Sequence, residues 1–330
     1  MKIVQCVPNI SEGIDLNKIE RIVEPLKNKE GFKFISVEPD QDYNRSVITI
    51  IGEPDKMIEP LLEFIKIASL EINMNNHKGE HPRMGAVDVL PFIPISKITM
   101  DECVEYANIL GKKVFETLNI PVFLYAKSAK NKERESLPTI RKGEFEGMKE
   151  KIKEKEWTPD YGNNEIHPTF GVLAIGARLP LIAYNIDLDT NDEKIASNIA
   201  KTIRKSSGGF AYVQAGPASL LKRGHTQVTM NILDYIKNPI YRVLETVKME
   251  AKRYNVKVTS SELVGLVPRD TIIRSLNYYL SVENKPKIND QNLDELSDLA
   301  IKYLLFRDFD KNKIIEANLG DLDESWFNNK

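Results

Sequence analysis

Apolar and polar positions fall into two runs that echo each other along the chain. The first begins with Ile-Val-Gln-Cys-Val-Pro-Asn, ending at Asn9, then a helical stripe of Ile19, Ile22, Val23 and Leu26. After Arg178, Pro-Leu-Ile-Ala-Tyr-Asn-Ile with Asn185 precedes a stripe of Ile195, Ile199 and Ile203. Phe-Lys-Phe-Ile-Ser-Val reads as a strand, and Ser46 to Ile51 alternates as a second. Their counterparts are Phe-Ala-Tyr-Val-Gln and Thr226 to Ile232, separated by a loop around Lys222 to His225. Helices follow in both runs, with Ile58, Leu61, Leu62, Ile65 and Ile240, Val243, Leu244, Val247 at i, i+3, i+4, i+7. Each run closes on a matching apolar segment, Asp88 to Pro94 and Glu262 to Pro268. The order predicts an α+β fold of two pseudo-repeated βαββαβ, ferredoxin-like lobes, 1–178 and 179–330. Helices would cover one face of each sheet, so the spare faces predict a cleft between the lobes.

The first run carries an extra piece. Thr99-Met-Asp-Glu102 is a capping box opening a helix to about Leu118. Val-Phe-Leu-Tyr then reads as a strand, ahead of a charged stretch, Lys127 to Glu156, expected to hold a solvated helix. A last amphipathic helix, Leu-Asp-Glu-Leu-Ser-Asp-Leu-Ala-Ile-Lys-Tyr-Leu-Leu, precedes polar residues expected to fray.

A length of 330 residues suits two domains. Lys and Arg number 46 against 48 Asp and Glu, a net charge of −2, so no basic field points to nucleic acid. Cys6 and Cys103, the only two cysteines, make neither a disulfide framework nor a four-cysteine zinc site. No apolar run approaches the ~20 residues of a membrane helix. The N-terminus lacks the apolar centre of a signal peptide, so a cytoplasmic protein off the membrane is expected.

Two of the four histidines fall in Asn76-His-Lys-Gly-Glu-His-Pro-Arg-Met-Gly85, a loop between a helix and a strand. Loops held by rigid elements concentrate catalytic groups, although a charged loop is also ordinary solvated surface. His77 and His81 are four apart, a metal-ligand spacing on a helix, but Gly79 and Pro82 argue against a helix there, and no metal is expected. Glu38 to Arg45 is an acidic, Asx-rich turn. Trp157 to Arg178 has glycines at 162, 171 and 176 but neither GxxxxGK[ST] nor GxGxxG, and equally reads as a linker into a strand. Lys222 to His225 is a small basic turn.

Cys-Val-Pro-Asn-Ile-Ser-Glu-Gly, Asn-Arg-Ser-Val, His-Lys-Gly-Glu-His-Pro-Arg-Met-Gly-Ala, Glu-Trp-Thr-Pro-Asp-Tyr-Gly and Ser-Glu-Leu-Val-Gly-Leu-Val-Pro together resemble the glutamate formimidoyltransferase family, from about residue 1 to 317. The resemblance implies transfer of the formimino group from N-formimidoyl-L-glutamate to tetrahydrofolate, in two α/β lobes whose sheets face across a folate-binding cleft. It maps the essential histidine onto His81. It maps folate binding onto Gly162, Asn163, Asn164, Glu165, Ile166, His167, Pro168, Thr169, Phe170 and Gly171. Asn9, Arg45 and Arg178 fall at positions near the substrates, as does Glu38, where relatives often carry Asp. Tetrahydrofolate would be a co-substrate, and a homodimer is expected.

The chemistry suits an imidazole. Folate N5 attacks an amidine carbon and the glutamate amine leaves, so one group that takes a proton and returns it serves both steps. An unperturbed imidazole titrates near neutrality. Arg45 and Arg178 would pair with substrate carboxylates. Two other readings share these residues: a formyl donor, N-formylglutamate, giving 5-formyltetrahydrofolate, and a folate-binding protein without turnover. The second run has no histidine motif before Glu262, so one site per chain is expected, with Asn185 and the Lys222 to His225 turn positioning folate.

Overall fold

Val7-Pro8 interrupts the first apolar run, since proline has no amide proton to give a ladder. In the computed structural model, which describes residues 1–41, 43–220, 224–289 and 292–319, two short strands result, β1 (Ile3–Cys6) and β2 (Asn9–Ile10). They are followed by α1 (Leu16–Val23), β3 (Phe32–Asp40), β4 (Arg45–Gly52), α2 (Pro54–Glu71) and β5 (Val87–Ser96). Both short strands pair antiparallel with β4 and with β5, and β3 adds antiparallel to β4. The order is β3–β4–(β1, β2)–β5. Next come α3 (Met100–Leu118), β6 (Val122–Ala126), α4 (Leu137–Arg141), α5 (Glu144–Lys151) and β7 (Leu173–Ala177). β7 inserts between β5 and β6, parallel to both.

The helix faces follow the sequence pattern. Ile19, Ile22, Leu61, Ile65, Leu110 and Val114 meet Val4, Cys6, Ile48, Ile50, Leu90 and Phe92 in one core. The Thr99–Glu102 capping box is formed in full at the start of α3. The charged stretch departs from expectation. Ile140, Met148 and Ile152 pack on Val89, Phe123, Tyr125 and Ala174, which lie on the other side of the sheet. Burying each such side chain contributes about 1.5–3 kcal/mol, so this segment is a second cover rather than a solvated helix.

The second unit runs β8 (Ile182–Leu188), α6 (Glu193–Ile203), β9 (Val213–Leu220), β10 (His225–Ile232), α7 (Ile240–Lys252) and β11 (Val258–Val264). Its four strands are antiparallel in the order β9–β10–β8–β11. α8 (Arg269–Val282) and α9 (Leu293–Leu304) complete it. The apolar stripes of α6 and α7 join Tyr184, Ile186, Val228 and Met230 in one core. Alternation turns Asp187 to the opposite face. There it accepts from Gln227 (2.6 Å), Ser260 (2.5 Å) and Arg307 Nε (2.9 Å), and Arg307 Nη2 reaches Glu262 at 2.6 Å. Of the apolar segment Glu262 to Pro268, only the first three residues are strand. Gly265, at φ +74°, turns the chain away.

The described chain thus forms two compact units, Met1–Arg178 and 179–319, each with its own sheet and helices, an α+β protein. Lys222, Arg223 and the polar C-terminal residues after 319 lie outside the described residues. No helix among the described residues is long and apolar enough to cross a membrane.

Candidate active site

The histidine loop is built on backbone contacts that exclude side chains at two glycines. A Cβ at Gly79 would lie 2.4 Å from the Tyr43 carbonyl oxygen, and one at Gly85 would lie 2.0 Å from that of Val172. Asn44, at φ +46°, accepts from Gly13 N–H (2.9 Å) and donates to the Lys78 carbonyl (2.7 Å), tying the turn before β4 to the loop. His77 donates from Nε2 to the Asn44 carbonyl (2.9 Å) and accepts on Nδ1 from Arg83 Nε (3.2 Å). Both its ring nitrogens are engaged, and burial, opposed by the Asn44 carbonyl, holds its pKa below the ordinary value. His77 is a structural member of the loop. Arg83 is buried and pairs with Glu144 and Glu146 of α5, at 2.5 and 2.7 Å. Burial works against its charge, and the two carboxylates more than offset this.

His81 projects elsewhere. Its Nε2 lies 2.9 Å from Arg45 Nη1, so the guanidinium donates to an unprotonated ring nitrogen. Tyr43 meets the ring edge-on, with centroids 6.2 Å apart. Burial first, then the charges of Arg45 and Arg141, push the His81 pKa down to about 3. The imidazole is therefore neutral across the physiological range, not poised near neutrality as an unperturbed one would be.

Arg141, at the end of α4, lay outside every sequence motif. It donates through Nε (2.8 Å) and Nη2 to Asp88, which is 2% exposed and also accepts from Met84 N–H at 2.8 Å. A lone carboxylate inside an apolar strand was the available signal, because a buried charge demands a partner. Lys151 fixes this corner. Its Nζ donates to the carbonyls of Thr139 (2.8 Å), Ile140 (2.7 Å) and Lys142 (3.2 Å) and sits 3.8 Å from the centroid of the Trp157 ring.

The other expected residues divide. Arg178 bonds the hydroxyl of buried Tyr125, whose pKa is raised by burial and eased by that guanidinium. Asn9 is buried at the middle of the sheet, facing Val47 and Val89, and its amide donates to Val7 O at 3.1 Å. Glu38 is exposed on β3, where it accepts from Ser36 at 3.2 Å, and no contact joins it to His81. The stretch from Gly162 to Gly171 lies against the loop. Ala86 N–H donates to Phe170 O (2.8 Å), Val172 N–H to Met84 O (3.0 Å) and Met74 N–H to Thr169 O (2.8 Å). Phe170 and Gly171 are buried, Asn163, Asn164, Glu165 and Pro168 are exposed, and His167 Nδ1 accepts from Phe170 N–H at 3.1 Å. In the second unit, the Asn185 amide lies 3.4 Å from Glu262. Among the described residues no group of three or more His, Cys, Asp or Glu is placed to hold a metal ion.

Comparison with known proteins agrees along nearly the whole chain. Residues 3–178 match the family described as formiminotransferase domain, N-terminal subdomain, and residues 183–319 the formiminotransferase domain. The chain is 46% identical to the glutamate formimidoyltransferase of Streptococcus pyogenes serotype M1 over 283 residues, 86% of this chain and 95% of that one. It is 43% identical to that of Thermoplasma acidophilum, over 86% of this chain and 93% of that one. It is also 38% identical to the formimidoyltransferase-cyclodeaminase of Dictyostelium discoideum, covering 54% of that longer protein.

Proposed function

Because the chain belongs to the formiminotransferase family, we propose that it transfers the formimino group of N-formimidoyl-L-glutamate to N5 of tetrahydrofolate, with His81 as the proton-transfer group. N5 forms a bond to the amidine carbon and loses its proton, the carbon–nitrogen bond to glutamate breaks, and that nitrogen gains the proton. The products are 5-formimidoyltetrahydrofolate and L-glutamate. His81 Nε2 is the accepting atom. The imidazolium formed beside two arginines is a strong acid and passes its proton on to the departing amine.

The observation that carries this reading is a neutral, half-buried imidazole bonded to one guanidinium and depressed by a second. Such a place suits an anionic donor and a group that must start unprotonated. Gly162 to Gly171 would hold folate, which is supported by the backbone bonds of Phe170 to Ala86, and of the adjoining Val172 to Met84, at the end of the histidine loop. Asn9 and Arg178 would support the substrates, and Glu38, exposed and away from His81, would do least. The common strand orders, β3–β4–(β1, β2)–β5 and β9–β10–β8–β11, support two ferredoxin-like, duplicated lobes, with domains 1–178 and 179–330. The second lobe would add a wall of the folate cleft. A cytoplasmic homodimer completes the proposal.

His81→Asn is the test. It should lower kcat by about 10²–10⁴ while leaving folate affinity within a few-fold. Unchanged turnover would refute the role, and faster turnover of N-formylglutamate than of the formimino donor would reassign the substrate.

A further inference from the structure

We propose that Arg45 and Arg141 form the receptor for a carboxylate of the donor, and that a carboxylate seated there draws Arg45 Nη1 off His81 Nε2, freeing the nitrogen that must accept the proton. The inference rests on the proton-transfer role of His81 proposed above. Its starting point is a geometric conflict. The nitrogen that the reaction needs is the one Arg45 occupies, at 2.9 Å. With that bond intact, the lone pair cannot take a proton from N5.

Arg45 is placed to leave. Its Nε–H is buried with no hydrogen-bond partner, an unsatisfied donor inside the protein. Its other neighbours are the Tyr43 ring, 6.0 Å from the guanidinium carbon, and the charges of Asp40 and Asp88, the latter already bonded to Arg141. Arg45 carries its charge at a disadvantage, first from burial and then from Arg141. A carboxylate between the two guanidiniums would relieve both, and the planar fork of arginine suits two-point contact. Arg141 is already anchored through Asp88, so it offers a fixed half of the receptor while Arg45 supplies the movable half.

The charges around the imidazole give the direction of the response. Arg45 from β4, Arg141 from α4 and His77 from its own loop all lower its pKa, below burial in importance, and the Pro82 carbonyl opposes them. Asp88, the nearby carboxylate, is engaged by Arg141. Tyr125 and Arg178 pair with each other. An added carboxylate would neutralise one guanidinium and end the donated bond to Nε2. Both changes favour the protonated ring, so donor binding would turn a poor base into a competent one.

The test is nitrogen NMR of the histidine rings over about pH 4–8, bracketing the ordinary histidine range, with L-glutamate as the probe ligand and the His81 signal assigned by its loss in His81→Asn. Without glutamate, His81 should stay neutral with its proton on Nδ1. At saturating glutamate, its pKa should rise by about one unit or more. Arg45→Gln should raise the His81 pKa in the free protein. Both Arg45→Gln and Arg141→Lys, the latter keeping Asp88 paired, should weaken glutamate about tenfold by calorimetry. A His81 signal unmoved by bound glutamate would overturn the inference. So would affinity unchanged in both variants, or no glutamate binding to the wild type. If His81→Asn is inactive while glutamate leaves His81 unmoved, only this inference fails. If His81→Asn is fully active, the parent reading fails first.

Discussion

Removal of the Asp160 carboxylate tests how the approach to the Gly162–Gly171 stretch is held. The Asp160 side chain is 2% exposed and accepts from Arg134 Nη1 (2.9 Å) and Leu124 N–H (2.7 Å). Arg134 is itself buried, and its other amino group donates to the carbonyls of Glu156 and Thr158. Asp160→Ala would strand a buried guanidinium and an amide proton together. Losing one partner of a buried pair costs about 3–5 kcal/mol, and the two carbonyls left to Arg134 place this case near about 3 kcal/mol. Urea unfolding followed by Trp157 fluorescence, in a Trp326→Phe background, reads the loss as a lower midpoint at constant m. Arg134→Met combined with Asp160→Leu leaves no charge buried and should recover more than half of it. A loss below about 1 kcal/mol, the scale of a surface pair, would refute the reasoning. So would a double variant no better than Asp160→Ala.

Two further outcomes follow from the loop. His77 and His81 both have lowered pKa values, His81 to about 3. The unfolded chain takes up protons on them below about pH 6.5 while the fold resists, so stability is full above that pH and falls on acidification. His81→Asn should flatten the melting temperature between about pH 6.5 and 5, and a steeper acid loss than wild type would contradict this. Gly85→Ala places a methyl against the Val172 carbonyl, so it should destabilise by about 1–3 kcal/mol or more and depress both turnover and folate affinity. A variant with wild-type melting and activity would show that the two segments need not lie so close.

Local signals were legible, and signals that depend on distant partners were not. The α3 cap is set by residues three apart, and its two reciprocal bonds form as the motif requires. The α2 and α7 stripes were readable because one helix face buries them, with Leu62 alone only partly covered at the edge of the α2 face. His81 stood out by residue type and loop context, but Arg45 is 36 positions away, and no spacing foretells a bond from the start of β4. Arg141 and α5 were hidden by charge density. Ile140, Phe145, Met148 and Ile152 are an apolar set among lysines and glutamates, and their burial makes the stretch a cover. Glutamates that looked solvated hold Arg83, and a lysine that looked solvated closes the end of α4. The insertion of β7 between β5 and β6 was equally invisible, because the pattern shows that a strand exists and not which neighbours it takes.

That insertion has a consequence for the order of assembly. β7 is the last strand of its unit to be synthesised, yet it lies inside the sheet. Until Leu173–Ala177 has emerged, β5 and β6 each present an unpaired, apolar edge, the kind of surface that recruits other chains. The same late arrival brings Phe170 and Val172 to Ala86 and Met84, which closes the histidine loop. A nascent chain can therefore hold His81 long before it holds the closed loop around it. The interval between the two is when the unit depends most on the cell's capacity to keep exposed strands apart.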